Sequence, residues 1–139
     1  MRIMGVDYGD VRIGLAVSDE MNILVGDAWT LTERNADLAA EKIADEVQKR
    51  SVQRIVLGLP KNMDGSEGVR AEKSREFMAL LERDSGLPVV LWDERRSSIE
   101  AHAILHAAGK KEKQHRKTVD AVAASLMLEG YLTFKNRQG

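Results

Sequence analysis

The chain has no cysteine and only two residues each of proline, tryptophan, tyrosine and phenylalanine among its 139 residues. Without cysteine, disulfides and thiolate metal sites are excluded, so any bound metal must be held by oxygen or histidine ligands. Because so few aromatic side chains can stack on bases, a nucleic-acid partner would be recognised through its backbone or its shape.

The sequence also has no apolar run long enough to span a membrane, and no secretory signal opens it. We therefore expect a soluble, cytoplasmic protein with no membrane partner. The formal net charge of -1 does not exclude nucleic acid, because the charges are unevenly distributed along the chain. Since 43% of the residues are hydrophobic, residues 1–139 are expected to form one domain around one core.

The hydrophobic pattern predicts an α/β protein with strands alternating with helices. A helix capped by Asn35 and a second one ended by Gly86 separate the later strands, Ser97 caps a third, and Thr118 is expected to cap the last. This order, βββαβαβα, implies a five-stranded mixed sheet that begins with an antiparallel meander and is flanked by helices. The five strands are predicted at residues 2–7, 12–18, 26–31, 54–59 and 89–92.

Carboxylates stand at two of the predicted strand ends. Asp7 closes the first strand, and Asp93 and Glu94 follow the fifth. Clustered carboxylates bind divalent cations in enzymes that act on phosphates, because hard cations prefer oxygen ligands. Each acid also has an ordinary explanation: Asp7 as a turn residue, and the acidic pair as a surface lead-in to the next helix, neutralised by neighbouring arginines.

Asp120 is the more informative carboxylate, because the helix over residues 119–128 is apolar on almost every side and is expected to be buried nearly all round. An unpaired carboxylate there would cost several kcal/mol or be forced neutral. A metal would compensate it. The dipole of the helix N-terminus would do so too, since Asp120 is expected in the first turn of this helix.

A basic stretch precedes Asp120, in a segment expected to lie between two helices. Its cations could hold a nucleic-acid backbone beside the acids, although a solvated charge run is the alternative. A weaker basic surface is formed by Arg70, Lys73 and Arg75. His102 and His106 lie one helical turn apart but lack a third ligand, so the polar edge of a helix is the better interpretation. The basic stretch consists of Lys110, Lys111, Lys113, Arg116 and Lys117.

Four motifs in order resemble the RuvX family, also called YqgF, of Holliday-junction resolvase-like proteins and pre-16S rRNA nucleases. The similarity runs nearly end to end, and the four motifs together are far more specific than the first alone. They are Gly5-Val6-Asp7-Tyr8-Gly9 with Arg12-Ile13-Gly14-Leu15-Ala16, Val56-Leu57-Gly58-Leu59-Pro60 with Asp64-Gly65, Trp92-Asp93-Glu94-Arg95, and Lys117-Thr118-Val119-Asp120-Ala121-Val122-Ala123-Ala124.

The resemblance implies a ribonuclease H-like fold with Asp7, Glu94 and Asp120 as catalytic residues and as ligands of Mg²⁺ or Mn²⁺, with two ions expected. It assigns Asp93 a secondary position. This chain has Ser97-Ser98 where the family often has threonine, a departure that keeps the hydroxyl. Arg95 and the basic stretch are expected to contact nucleic acid.

The function implied is a metal-dependent nuclease acting on structured nucleic acid, with processing of the 5′ end of pre-16S rRNA as its setting. The first alternative is a four-way DNA junction resolvase, which would act as a symmetric dimer, so monomer and homodimer both stay open. The second is a non-catalytic RNA-binding assembly factor. A sugar-kinase-like ATPase is disfavoured, because it would need a second lobe over the nucleotide.

Overall fold

A computed structural model of the chain describes residues 1–93 and 112–138, with backbone alone in residues 112–118 and 138. None of the described helices combines the length and the hydropathy that a membrane span requires. The elements in chain order are β1 Arg2–Asp7, β2 Arg12–Ser18, β3 Val25–Thr32, α1 Ala36–Lys49, β4 Val52–Leu59, α2 Val69–Ser85, β5 Val89–Asp93 and α3 Glu112–Gln138.

The five strands form one mixed sheet in the order β3-β2-β1-β4-β5. The first three strands are the predicted antiparallel meander, with Asp7 opposite Gly14 in the β1–β2 register. The later strands, β4 and β5, run parallel to β1, so the carboxyl ends of β1, β4 and β5 meet at one edge of the sheet. The predicted α/β architecture and the order βββαβαβ of the first seven elements are confirmed.

Both faces of the sheet are covered by helices. Alternate residues of each strand face opposite sides, and this separates the buried side chains into two cores. One core lies between the sheet and the pair α1 and α2, and Met4, Val6 and Phe77 belong to it. The other lies under α3, where Ile3, Ala16 and Val56 meet the helix residues Ala124, Met127, Leu128 and Tyr131.

Local signals fix the ends of α1 and α2 as the sequence predicts. The side-chain oxygen of Asn35 accepts a hydrogen bond of 3.1 Å from the backbone N–H of Leu38, which satisfies one donor of the first turn of α1. Gly86 ends α2 in the left-handed conformation, with φ of 70°, which glycine adopts without a steric penalty. The apolar residues that recur at helical spacing in the sequence are buried in both helices, except that Ala36 and Leu80 are only partly buried; the buried ones are Ala40, Ile43, Val47, Phe77 and Leu81.

The last helix differs from the prediction in two ways. It begins no later than Glu112, so Thr118 is not its N-cap and lies within it. The reason is that residues 110–120 contain neither glycine nor proline, and most are good helix formers, so nothing stops the helix upstream. It is also not buried all round: one stripe packs on the sheet, while Val122 and Leu126 are partly exposed. The helix predicted from Ser97 lies outside the described residues.

The cap of α1 is directly testable. We expect Asn35→Ala to lower the free energy of unfolding by about 1 kcal/mol, because the first turn loses its side-chain acceptor. Urea denaturation followed by circular dichroism measures the change. Asn35→Ser, which keeps an acceptor oxygen, is the control and should lose much less. Equal losses in the two variants would show that the cap hydrogen bond does not stabilise α1.

Candidate active site

The predicted carboxylate Asp7 lies at the carboxyl end of β1, on the face of the sheet that α3 covers. Its face follows from the alternation along β1, in which Ile3 belongs to the core under α3 and Gly5 lies against Leu128 of that helix. Asp7 itself is partly buried. Its register partner on β2 is Gly14, which faces the same helix.

At Gly14 the backbone of α3 lies very close to the backbone of β2. A Cβ atom built on Gly14 would lie 1.9 Å from the backbone carbonyl oxygen of Asp120, far inside any permitted contact. Only a residue without a side chain allows the backbones of β2 and α3 to meet in this way. Asp7 therefore lies beside Gly14 within the sheet, and Asp120 lies above it. The fold brings these two predicted site residues together, although they are 113 positions apart in the sequence.

Asp120 has an ion-pair partner that sequence reasoning missed. The Nε atom of Arg12 donates to the Oδ2 atom of Asp120 at 3.1 Å, with the Arg12 and Asp120 side chains 36% and 23% exposed. Arg12 is two residues before Gly14 on β2, so it shares the face of the sheet that meets α3. The sequence signal for Arg12 as a site residue was its position two residues before a glycine, in the strand that follows Asp7.

The prediction that Asp120 lies in the first turn of its helix is wrong. α3 begins no later than Glu112, which places at least two turns of helix before Asp120. The dipole effect decays within the first turn, so the helix N-terminus does not compensate this carboxylate. Arg12 supplies a positive charge instead. Ala123, Ala124 and Met127, which follow Asp120 at helical spacing, are buried.

The turn that follows Asp7 is attached firmly to α2. The ring of Tyr8 stacks on Phe77 with centroids 4.1 Å apart and planes 16° apart, and Asp10 forms an ion pair of 3.2 Å with Lys73. Burial, and then the neighbouring Asp10 carboxylate, raise the pKa of Tyr8, which therefore stays a neutral phenol at physiological pH. Rigid attachment of this turn limits the movement of Asp7.

Asp93 faces away from the other carboxylates. Along β5, Val90 and Trp92 pack in the core under α3, whereas Val89 and Leu91 belong to the opposite core. Alternation along the strand places Asp93 with Val89 and Leu91. Asp93 is thus on the other side of the sheet from Asp120. The third predicted site residue, Glu94, lies outside the described residues.

The structure corrects the setting of the basic stretch. Lys113, Arg116 and Lys117 belong to α3 rather than to a connection between two helices. The expectation that the stretch lies between two helices is wrong for these positions, because helix formers continue upstream of Asp120 without a break. Lys110, Lys111 and Arg95 lie outside the described residues, as do His102 and His106.

The weaker basic surface on α2 is largely neutralised. Arg75 donates to both carboxylate oxygens of Glu67, at 2.8 and 2.9 Å, and this raises the pKa of Arg75 and lowers the pKa of Glu67. Lys73 is paired with Asp10. Since two of its three cations already have acidic partners, this surface is a poor candidate for binding a polyanion.

The donor set at Gly14 suits a hard divalent cation. Asp7 and Asp120 offer carboxylate oxygens at one end of the sheet, and Mg²⁺ is usually held by only one or two protein carboxylates together with substrate phosphate. Within residues 1–93 and 112–138, no group of three His, Asp or Glu side chains could hold a metal ion. The predicted third ligand, Glu94, is not among these residues.

Solved structures with the same fold define the class of protein. RuvC of Thermus thermophilus in complex with a Holliday junction matches with a TM-score of 0.64 at 10% identity, covering 100% of this chain and 98% of that one. A second Thermus thermophilus RuvC structure matches with a TM-score of 0.57 at 11% identity, covering 99% and 97%. Identities this low establish the fold alone, and that fold is the ribonuclease H-like one predicted from the sequence.

Sequence comparison gives the family. The family model described as RuvX, Holliday junction resolvase, matches residues 1–134. A protein of Halothermothrix orenii is 42% identical over 137 residues, covering 99% of this chain and 98% of its own. One of Anaeromyxobacter dehalogenans is 47% identical over 134 residues, covering 95% and 96%. Both are named "Putative pre-16S rRNA nuclease". The chain belongs to the RuvX family, as its motifs predict.

The contact at Gly14 can be tested by adding one methyl group. We expect Gly14→Ala to lower the free energy of unfolding by about 3 kcal/mol or more, because the Cβ would displace the backbone of α3. Thermal and urea unfolding measure the loss. Gly26→Ala is the matched control, because a Cβ there meets its nearest atom at 3.5 Å, an ordinary contact. Similar losses in the two variants would contradict the close approach of α3 to β2.

Proposed function

We propose that this protein is a divalent-metal-dependent nuclease that hydrolyses phosphodiester bonds in structured nucleic acid, with pre-16S rRNA as its substrate. The observation that carries the proposal is the meeting of Asp7 and Asp120 at Gly14, at the end of a ribonuclease H-like sheet. Two carboxylates from distant parts of the chain at one strand end are what a cation site for phosphate chemistry requires.

In this proposal Asp7, Glu94 and Asp120 hold the cations. When bound, divalent cations would supply an activated water and stabilise the leaving oxygen of an in-line displacement. The chain contributes the geometry. Asp7 lies at the end of β1 and is followed by a turn that is attached to α2. Asp120 lies on α3, whose backbone contacts β2, the strand next to β1. Both carboxylates are thus on rigid elements, which fixes the position of the phosphate between them.

The choice of Glu94 over Asp93 as third carboxylate is supported by the faces of β5. Asp93 lies on the side of α1 and α2, away from Asp120. The acid next to it in the sequence, Glu94, is the one that the family resemblance assigns to the site.

Nucleic acid would be held by the basic positions that precede Asp120 on α3. From position 113 to position 120 a helix advances only about 10 Å, so these backbone positions are close to Asp120 along α3. Phosphate contacts of this kind give affinity and position without sequence preference. We include Lys113, Arg116 and Lys117 in this surface, together with Lys110, Lys111 and Arg95.

The relatives favour an RNA substrate. Proteins 42% and 47% identical over almost the whole chain are named for pre-16S rRNA, whereas the RuvC bound to a Holliday junction shares only 10% identity. A four-way DNA junction is the second candidate, because the family model itself carries the description of a Holliday junction resolvase. A resolvase would work as a symmetric dimer that makes paired cuts, so stoichiometry on the substrate separates the two.

Substitution of the carboxylates tests the catalytic assignment. We expect Asp7→Asn, Glu94→Gln and Asp120→Asn each to reduce cleavage in Mg²⁺ or Mn²⁺ by at least about 100-fold, since each removes a ligating charge while keeping the shape. Single-turnover cleavage of a labelled precursor measures the rate. Asp93→Asn, on the opposite face, is the control and should retain most of the activity. Unchanged cleavage by Asp7→Asn would defeat the assignment.

Parallel substrates test the function itself. The unaltered protein should cleave a precursor 16S 5′ fragment in Mn²⁺ and lose this activity in EDTA, while a synthetic four-way junction should be cut more slowly or not at all. Preferred, paired cutting of the junction would establish the resolvase instead. Tight RNA binding with no product in either metal, unaffected by alanine at Asp7 or Asp120, would indicate a non-catalytic assembly factor.

A further inference from the structure

Arg12 occupies the same face of the sheet as the two carboxylates. It is the first residue of β2, and the positions two and four residues later, Gly14 and Ala16, both face α3. Its side chain is 36% exposed, and it lies at the edge of the sheet where the carboxylates lie. A cation open to solvent beside two carboxylates is unexpected if its only purpose is to neutralise them.

The guanidinium is oriented by one of its three nitrogens. Nε donates to the Oδ2 atom of Asp120 at 3.1 Å. Among the side chains that the structure describes, none accepts a hydrogen bond from the Nη1 or Nη2 atoms of Arg12. Two nitrogens, with four N–H donors between them, are therefore available to a ligand while the third holds the plane of the group in place.

The stability contributed by this ion pair is a weak explanation for it. Pairs between partly exposed side chains typically add little to folding, because water screens them and the long side chain loses entropy. A guanidinium whose Nη donors have no acceptor among the described side chains has a better-matched partner in a phosphate, whose oxygens it binds in a planar, two-pronged arrangement. Lysine, a point charge, would not reproduce this geometry.

We propose that Arg12 is a phosphate-binding residue of this site. Asp120 holds its Nε, and its Nη atoms donate to non-bridging oxygens of the substrate phosphate that lies over Asp7 and Asp120. The inference rests on the proposed nuclease function for the identity of the ligand, a nucleic-acid phosphodiester. Its evidence is separate, because it depends on the position, exposure and hydrogen bonding of Arg12.

Binding without cleavage tests the proposal. With a fluorescently labelled precursor 16S 5′ fragment in EDTA, we expect Arg12→Gln to weaken affinity about tenfold and to reduce the salt dependence by about one phosphate contact. Arg12→Lys should keep the salt dependence but bind more weakly than arginine, because it loses the planar fork. Fluorescence anisotropy at several salt concentrations measures both quantities.

Arg137→Gln is the matched control. It removes the same charge from an exposed position near the end of α3, 17 residues and about 25 Å of helix from Asp120. We expect less than a twofold change in affinity. Circular dichroism and thermal unfolding establish that each variant is folded. If Arg12→Gln does not fold, Arg12→Lys provides the comparison with Arg137→Gln.

A second background separates phosphate binding from mere positioning of Asp120. In Asp120→Asn the carboxylate charge is gone, yet Arg12→Gln should still weaken binding severalfold if its Nη atoms contact phosphate. If Arg12→Gln leaves affinity unchanged in both backgrounds but slows cleavage, Arg12 only positions Asp120 and the proposal is overturned. Equal effects of Arg12→Gln and Arg137→Gln on affinity would overturn it as well.

The same measurements distinguish failure of this inference from failure of the nuclease function. Absence of cleavage by the unaltered protein in Mg²⁺ and Mn²⁺ would remove the nuclease function, while a specific loss of binding in Arg12→Gln would still support the phosphate contact. Cleavage by the unaltered protein combined with normal binding by Arg12→Gln would support the nuclease function and remove the phosphate contact. No measurable binding by the unaltered protein to the RNA or to a four-way junction would overturn both.

Discussion

The backbone contact between α3 and the sheet at Gly5 and Gly14 determines the geometry of the whole site. At Gly5 a Cβ would lie 3.1 Å from the Cβ of Leu128, and at Gly14 it would overlap the carbonyl of Asp120. The helix therefore rests on two strands where no side chain separates them. Because the contact at Gly14 involves the backbone of Asp120 itself, main-chain packing sets the position of the Asp120 backbone relative to the strand that ends at Asp7.

This packing creates an electrostatic problem that Arg12 partly solves. Two carboxylates beside one glycine repel each other, and the charge of the guanidinium on Asp120 offsets part of that repulsion. Among the side chains that the structure describes, one cation stands with two carboxylates, a balance that favours a divalent ion. An ion pair this exposed is also readily rearranged, since water competes with it. The free protein can thus fold with the carboxylates in place and still admit a cation and a phosphate.

Local signals in the sequence predicted the framework, whereas the long-range details needed the fold. A few neighbouring residues determine the strand boundaries, the N-cap at Asn35 and the end of α2 at Gly86. The sequence alone could therefore predict these features. Threonine is also a favourable N-cap residue, but a residue caps a helix only where the preceding residues are not helical. The residues before Thr118 belong to α3, so Thr118 is not its cap. The partner of Asp120 lies 108 residues away, so the spacing of Arg12 and Gly14 could place the arginine on the right face of β2 but could not identify the carboxylate that it binds. The role of Glu94 stays a prediction.

The continuity of α3 through Asp120 has a consequence for how substrate and cations would be coordinated. A helix that begins no later than Glu112 carries the basic positions 113, 116 and 117 and the carboxylate on one rigid element. Had the basic stretch been a loop, phosphate binding and cation binding could vary independently. Because α3 carries both and contacts the sheet at Gly14, any shift of the basic positions also moves Asp120 relative to Asp7. Binding of the nucleic-acid backbone and assembly of the carboxylate site are therefore expected to be mechanically coupled.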